Sequence, residues 1–413
     1  MFAFTSPIAA FLFTVMIIVA LRPVAIMIGL VDVPSDRKPH NGNVPLIGGI
    51  SILIGYILAM LMFALISGHE LWSTPRIATY IVASAFLVVV GAWDDLNGLR
   101  VYVKFAAQTV AALAMIFAGG VVLTNLGTLS LSDTPLELGL LAVPFTVFAT
   151  LGVINAVNMS DGVDGLGGGL VFVSAIGLAI ANIMQGGKIG YTMFTLTLAA
   201  TIAGFLVFNL RIVSKKTAWV FLGDSGSTFL GFSLAWLAIS MSQGDPAVIS
   251  PAAMLWFVMV PIFDAVTIVV RRIVRGGSPF KADREHLHHV LLMAGFTVGQ
   301  TVALMTTFAA AGVLVGLGGV YFAVPDFLLA GLFTVTGLLY LWASLRAWKV
   351  MRFMGRSICR RSGIADRRTS SSLHTGLDPR SGLERRQHRQ RHSTDPVEGG
   401  PARSDERSAE PIA

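Results

Sequence analysis

Five carboxylates fall in three short polar clusters set between long apolar runs: Asp94 with Asp95, Asp161 with Asp164, and Asp224. Charge placed there needs a partner. The longest cluster reads Asn155-Ala-Val-Asn158-Met-Ser-Asp161-Gly-Val-Asp164-Gly-Leu-Gly-Gly-Gly169. Closely spaced oxygen ligands, with a glycine directly after each aspartate, can converge on a hard cation because glycine lets the chain turn sharply. An Asx/Gly turn between helices is the plainer reading of this stretch alone. Asp94 and Asp95 end an apolar helix at the unfavourable end of its dipole, so a metal ion or the nearby Arg100 and Lys104 must offset them. A solvated helix end is the alternative. Asp224 lies in Phe221-Leu-Gly-Asp224-Ser-Gly-Ser, where amides of small residues can approach an anion and Phe221 offers an aromatic face.

Two further stretches supply cations. Residues 275–289 contain Lys281, Arg284, His286, His288 and His289. No two of these histidines have the i, i+4 spacing of paired zinc ligands, and the mixture of His, Arg and Lys suits phosphate better. Residues 32–49 carry Arg37, Lys38 and His40, which suit phosphate contact or topology alone. Asp264, inside the apolar run 256–270, must be paired or near an edge, and a structural role is open to it.

The elements that position these groups are membrane helices. The chain is 54% hydrophobic and 13% charged. About eleven apolar runs are long enough to span a bilayer, near residues 5–27, 44–67, 76–93, 101–123, 138–157, 165–185, 190–209, 221–241, 247–270, 300–320 and 326–346. The expected fold is therefore all-α and polytopic. The first run is too long for a signal-peptide core and has no basic residue before it, so it reads as a retained helix.

Basic residues gather on alternate connections, at Arg37 and Lys38, Arg100 and Lys104, Arg211 to Lys216, and Arg271 to Arg284. That pattern places the N-terminus outside and the C-terminus in the cytoplasm. Every polar cluster then falls on the cytoplasmic face. The net charge of +7 is read as topology, with no nucleic-acid partner. The single cysteine, Cys359, excludes an internal disulfide framework and a thiolate metal cluster. The expected domains are a membrane unit over 1–348 and a disordered basic cytoplasmic tail over 349–413, which has few large apolar residues to bury and can touch anionic lipid through Arg360, Arg361, Arg367 and Arg368.

Carboxylates facing cations and amide-rich turns suit a metal-bound pyrophosphate, with magnesium as the natural ion. The set Pro45-Leu-Ile-Gly48-Gly49, Asp94-Asp95, Asn155 to Gly165, Phe221 to Ser227, and Asp283-Arg284-x-His286-x-His288-His289 resembles the polyprenyl-phosphate N-acetylhexosamine-1-phosphate transferases, in order and in topological side. Within that family the likeness is greatest to bacterial members acting on GlcNAc. The resemblance spans roughly residues 1–350.

The resemblance implies that UDP-GlcNAc and undecaprenyl phosphate react to give undecaprenyl-diphospho-GlcNAc and UMP at the bacterial inner membrane, starting O-antigen or a related envelope polysaccharide. It implies Mg2+, with Mn2+ as substitute, on Asp161 and Asp224. Asp94, supported by Asp95, would accept a proton from the lipid phosphate or orient it, and Asp161 and His288 would join them as catalytic groups. Asn155, Asn158, Asp164, Asn209 and Phe221 would surround the nucleotide. Lys104, Arg284, His286 and His289 would meet the phosphates or sugar. A homodimer is compatible with this reading. Gly98 and Tyr102 stand where many members carry an Asp and a Lys, which makes Lys104 the phosphate candidate of that loop. The rivals are the same transfer with GalNAc, QuiNAc, FucNAc or MurNAc-pentapeptide donors and, outside the class, a secondary transporter, which would place its polar sites nearer the midplane.

Overall fold

The computed structural model describes residues 5–33, 42–67, 75–130, 134–210, 217–243, 247–276 and 286–361. The chain divides into two units, Met1–Met351 and Arg352–Ala413. Of the second only the residues to Arg361 are described, so the call of a disordered tail lies outside the description.

All eleven apolar runs carry helix. The α-helices among the described residues are, in order, α1 Thr5–Ile28, α2 Gly48–Ser67, α3 Pro75–Asn97, α4 Val101–Phe117, α5 Ala142–Ser160, α6 Leu166–Met184, α7 Ile189–Asn209, α8 Gly223–Ser242, α9 Pro251–Phe257, α10 Met259–Val274, α11 Leu287–Met293, which lies between two of the runs, α12 Val298–Tyr321 and α13 Asp326–Arg361. Two two-residue strands, β1 Val31–Asp32 and β2 Val44–Pro45, form the sole sheet among the described residues, with Val31 opposite Pro45.

Eight of these helices are long and apolar enough to cross a membrane, or nine if α9 and α10 form one span. Two of the eleven expected runs fall short of that measure for different reasons. α4 is short, at 17 residues. α8 is rich in Gly and Ser, and its residues from Ser225 to Ser242 are all buried. A helix surrounded by protein needs no lipid-compatible exterior, and small residues let neighbouring backbones come close. The outer helices show the opposite character: Ile8, Leu12 and Met16 of α1 and Val335, Leu338 and Leu339 of α13 are exposed apolar side chains.

The run at 247–270 is broken. Ser250 caps α9, its hydroxyl accepting from the Ala253 amide, and α9 meets α10 at 83°. Pro261 explains the break, since it has no N–H to offer the carbonyl of Phe257 four residues earlier. The Ser174 hydroxyl donates to that carbonyl instead, at 2.5 Å.

α8 is the hub, packed on α2, α3 and α5. The approach of its first turn to α2 and α3 is set by glycine. A Cβ on Gly49 would stand 2.2 Å from the Gly226 nitrogen, and one on Gly91 2.4 Å from the Ser225 Cα. Both obstacles are backbone and cannot swing away. The connection before α8 is held as well, because the Phe221 amide donates to the Pro45 carbonyl while Gly48 and Gly49 donate to the carbonyls of Phe221 and Leu222.

Gly49→Ala and Gly91→Ala are therefore expected to destabilise the protein by about 1–3 kcal/mol or more, the usual cost of overpacking. Thermal unfolding in lipid nanodiscs checks this, with Gly152→Ala as the contrast because a Cβ there meets nothing within 4 Å.

Candidate active site

The C-terminal turn of α3 meets the N-terminal turn of α8 through Asp95. Its two oxygens accept from the amides of Asp224, at 2.8 Å, and Ser225, at 3.2 Å. These are amides that the helix itself leaves without partners, so the carboxylate sits at the favourable end of the α8 dipole. Asp94, one residue earlier, accepts from the Leu99 amide at 2.6 Å. The Lys104 ammonium bridges Asp94 and Asp224.

Asn158, in the last turn of α5, completes this centre. Its side-chain amide donates to Asp224, at 3.1 Å, and to the Ser227 hydroxyl, at 2.8 Å. Asn155, one turn earlier, donates to Gln108 at 2.7 Å and to the Leu151 carbonyl at 2.8 Å. Gln108 lies one turn beyond Lys104 on α4, so a single face of α4 supplies both groups. Asp94, Lys104, Gln108, Asp224 and Thr228 line one small cleft, with Leu87 and Ala107 in its apolar wall.

Asp161 caps the C-terminus of α5 and starts the turn to α6. Its side chain lies over Gly167, where a Cβ would come within 2.6 Å of its Oδ1. Gly165 closes the turn at φ 86°, a conformation that glycine adopts without strain. The Gly165 amide donates to Asn209 at 2.6 Å, and Asn209 donates to the Val220 carbonyl at 2.9 Å. Asn209 is buried, and both ends of its carboxamide hold backbone. It braces the Asp161–Gly165 turn against the segment that carries Phe221, which is itself half-buried. Asp164 lies within that turn, partly buried.

The histidines form a second group. His286 donates through Nδ1 to the Asp264 carboxylate at 2.7 Å, and its ring stacks on His288 with centroids 5.3 Å apart. His288 and His289 are 4.3 Å apart. A Cβ on Gly162 would come within 2.3 Å of the His288 Nε2, so that ring lies against the Asp161–Gly165 turn. His288 is 1% exposed, and neither of its nitrogens has a hydrogen-bond partner among the described residues. Arg284 and Lys281 lie outside the described residues, as do Arg37, Lys38 and His40.

Asp264, His286 and His288 bring potential ligand atoms within 4.8 Å of one another. Asp264 nevertheless already accepts from His286, from the Leu287 amide at 3.0 Å and from the Tyr340 hydroxyl at 3.2 Å. That is a satisfied carboxylate. The set around Lys104 differs, because two carboxylates, Asp94 and Asp224, share one ammonium, with Asp95 bonded to the Asp224 amide beside them. Its surplus of negative oxygen suits a hard divalent cation.

Residues 77–242 match the model of glycosyl transferase family 4. The undecaprenyl-phosphate alpha-N-acetylglucosaminyl 1-phosphate transferase of Yersinia pestis is 36% identical over 353 residues, covering 85% of this chain and 94% of its own length. The protein of the same name from Salmonella typhi is 38% identical over 357 residues, covering 86% and 94%. That from Escherichia coli K12 is 36% identical over 355 residues, covering 85% and 94%. The chain belongs to glycosyl transferase family 4. The family match takes in α3 to α8, and with them Asp94, Asp95, Lys104, the Asn155–Asp164 stretch, Asn209, Phe221 and Asp224. The histidine segment lies beyond it.

Three participants escaped the sequence reading. Gln108 was detectable as a lone polar residue one helical turn from Lys104, and Ser227 was quoted only as part of a motif. Tyr340 joins Asp264 across 76 residues, and nothing local marks it. Asn209 was named beside the nucleotide, and the structure shows its carboxamide bonded to the backbone of Gly165 and Val220.

Burial first, then the rings of His289 and His286, push the His288 imidazole down to about 3. In the unfolded chain a histidine takes its proton near pH 6.5. The folded state thus loses stability as pH falls from about 6.5 toward about 3, because only the unfolded chain is protonated there. His288→Gln removes this term. Unfolding in nanodiscs at about pH 7.5 and about pH 5 is expected to show a smaller acid loss for the variant than for the parent protein.

Proposed function

We infer that this protein transfers GlcNAc-1-phosphate from UDP-GlcNAc to undecaprenyl phosphate, giving undecaprenyl-diphospho-GlcNAc and UMP. The near full-length relationship to transferases of that name carries the reading. The Lys104-centred cluster supplies the chemistry. Alternating basic connections favour a site on the cytoplasmic side of the inner membrane, where a soluble nucleotide sugar meets a lipid phosphate. O-antigen or a related envelope polysaccharide is the proposed destination of the product.

In the reaction an oxygen of the lipid phosphate forms a bond to the β-phosphorus, the bond from that phosphorus to the bridging oxygen breaks, and UMP departs with the electron pair. A phosphate monoester has its second pKa near 6, so the nucleophile is mostly a dianion at neutral pH. The harder task is to bring two anions together in line. Lys104, partly exposed between two carboxylates, can turn its ammonium to incoming phosphate. Asp94 positions that ammonium and, by the same proximity, the lipid phosphate.

A divalent cation, Mg2+ with Mn2+ as substitute, would be held by Asp224 and Asp161 and would neutralise and align the pyrophosphate. The donor set fits. Asp224 is part-exposed and lies where two carboxylates already converge on one cation. Asp161 follows Asn158, a bonded partner of Asp224, by one helical turn. Asn158 orients Asp224, while Asn209 and Gly165 hold the turn that carries Asp161. Direct attack is favoured over an aspartyl-phosphate at Asp94, because both oxygens of that carboxylate accept hydrogen bonds.

Purified protein in nanodiscs is expected to release UMP from UDP-GlcNAc and undecaprenyl phosphate with Mg2+, and to stop on adding chelator. Turnover with UDP-MurNAc-pentapeptide or UDP-GalNAc in place of UDP-GlcNAc would change the assigned donor. In the same assay Lys104→Met is expected to lower kcat by about 100-fold or more, since it removes a cation from developing phosphate charge and leaves two carboxylates unpaired. Enzyme phosphorylated by UDP-GlcNAc alone would overturn direct attack.

A further inference from the structure

Asp264 belongs to neither the carboxylate cluster nor the substrate groups, yet it is among the most buried charged side chains, at 2% exposure on α10. A carboxylate in that setting persists only when donors saturate it. Its Oδ2 faces Nδ1 of His286 at 2.7 Å, and its Oδ1 accepts from the Leu287 amide at 3.0 Å and the Tyr340 hydroxyl at 3.2 Å. The donors come from three places: the residue before α11, the first residue of α11, and the middle of α13. One carboxylate therefore sets where α11 begins, which way the His286 ring faces and how α13 lies beside them.

A carboxylate at Nδ1 can only accept, so the proton must sit on that nitrogen. The second nitrogen, Nε2, is then the one left for other partners. The same carboxylate-to-imidazole pairing fixes tautomer and ring orientation wherever a histidine must present one nitrogen to its target. His286 stacks on His288 at 12° between ring planes, and His288 lies against Gly162 in the turn that begins with Asp161. A rotation of the His286 ring would pass directly to that turn.

We propose that Asp264, steadied by Tyr340, is a positioning residue for transfer: it locks His286 as the Nδ1-protonated ring and thereby seats the histidine stack on the Asp161–Gly165 turn. This rests on the transferase reading for its kinetic consequence but not for the tautomer. Asp264 acts through His286 and touches no reacting atom.

Asp264→Asn is the informative variant. Its oxygen can still accept from Leu287 and Tyr340, but its amide nitrogen now donates to Nδ1 and drives the proton to Nε2. Asp264→Ala would leave all three donors without their acceptor and is expected to unfold. The full chain, labelled with 15N-histidine in nanodiscs, gives the tautomer of His286 by NMR, with His286→Gln assigning the resonance. The expected result is a proton on Nδ1 in the parent protein and on Nε2 in Asp264→Asn.

In the UMP-release assay Asp264→Asn is expected to lose kcat by about 10–100-fold, the usual range for a group that orients a functional histidine, while KM for UDP-GlcNAc changes by less than about threefold. Tyr340→Phe, which removes one bond of three, is expected to lose about threefold and to keep the Nδ1 proton. Adding Asp264→Asn to His286→Gln should cost little more than His286→Gln alone, because the two act as a unit. A proton on Nε2 in the parent protein overturns the proposal, and so do losses that multiply in the double variant. If Asp264→Asn fails to fold, the parent and Tyr340→Phe spectra still decide the tautomer. Absence of transfer by the parent protein would sink the reaction reading and leave the tautomer readable.

Discussion

The site depends on one ammonium held between two carboxylates. Lys104 comes from α4, Asp94 from the end of α3 and Asp224 from the start of α8, so the bridge exists only if three helix ends converge. Near a membrane, where water is scarce, neither carboxylate would tolerate the loss of that cation. The convergence is secured elsewhere. Asp95 takes the first amides of α8, and the missing side chains of Gly49 and Gly91 let α2 and α3 close on the same turn. Chemistry and packing thus meet in adjacent residues: Asp94 carries charge toward the cleft while Asp95 ties the helices.

That division bears on what was legible in the sequence. Asp94, Asp161 and Asp224 stood out because charge amid apolar runs is costly and therefore informative. Asp95 was visible as a neighbour, but its service to α8 was not, because the amides it binds lie 129 and 130 residues later. Gly48 and Gly49 were visible as a motif without a reason; the reason is the close approach of the Phe221 and Leu222 backbone to Gly48 and of Gly226 to Gly49. Asp264 was flagged as needing a partner, and the partners prove to be 22 and 76 residues away. Local sequence states a need for compensation and cannot say who meets it.

The fold shows the same limit. Eleven apolar runs gave the helices their places within a few residues, since an apolar segment of this length has few alternatives to helix in a bilayer. The bend after Phe257 was readable in principle from Pro261, four residues on, whose ring removes the bond that would have joined the two turns. What hydropathy could not separate was a helix facing lipid from one facing protein. α8 reads as another apolar run, yet its Gly and Ser content fits a helix enclosed by neighbours, and enclosure allows its first turn to serve as the floor of the site.

The two polar groups are built in different ways, and the difference has a physical cause. Around Lys104 the side chains are linked by ion pairs, with Lys104 and Asp224 part-exposed, so the arrangement can reorganise when phosphate arrives. Around Asp264 the bonds are buried and saturated, so the arrangement resists change. Transfer between two anionic substrates needs both properties: mobile cations to accept charge, and a fixed frame that keeps those cations in line with the bond that breaks. The Asp161–Gly165 turn is where they join. It lies one helical turn from Asn158 on the ionic side and against His288 on the buried side, and Asn209 holds it from behind. A shift at either side must therefore be felt by Asp161, which makes this short turn the structural joint between the two polar groups.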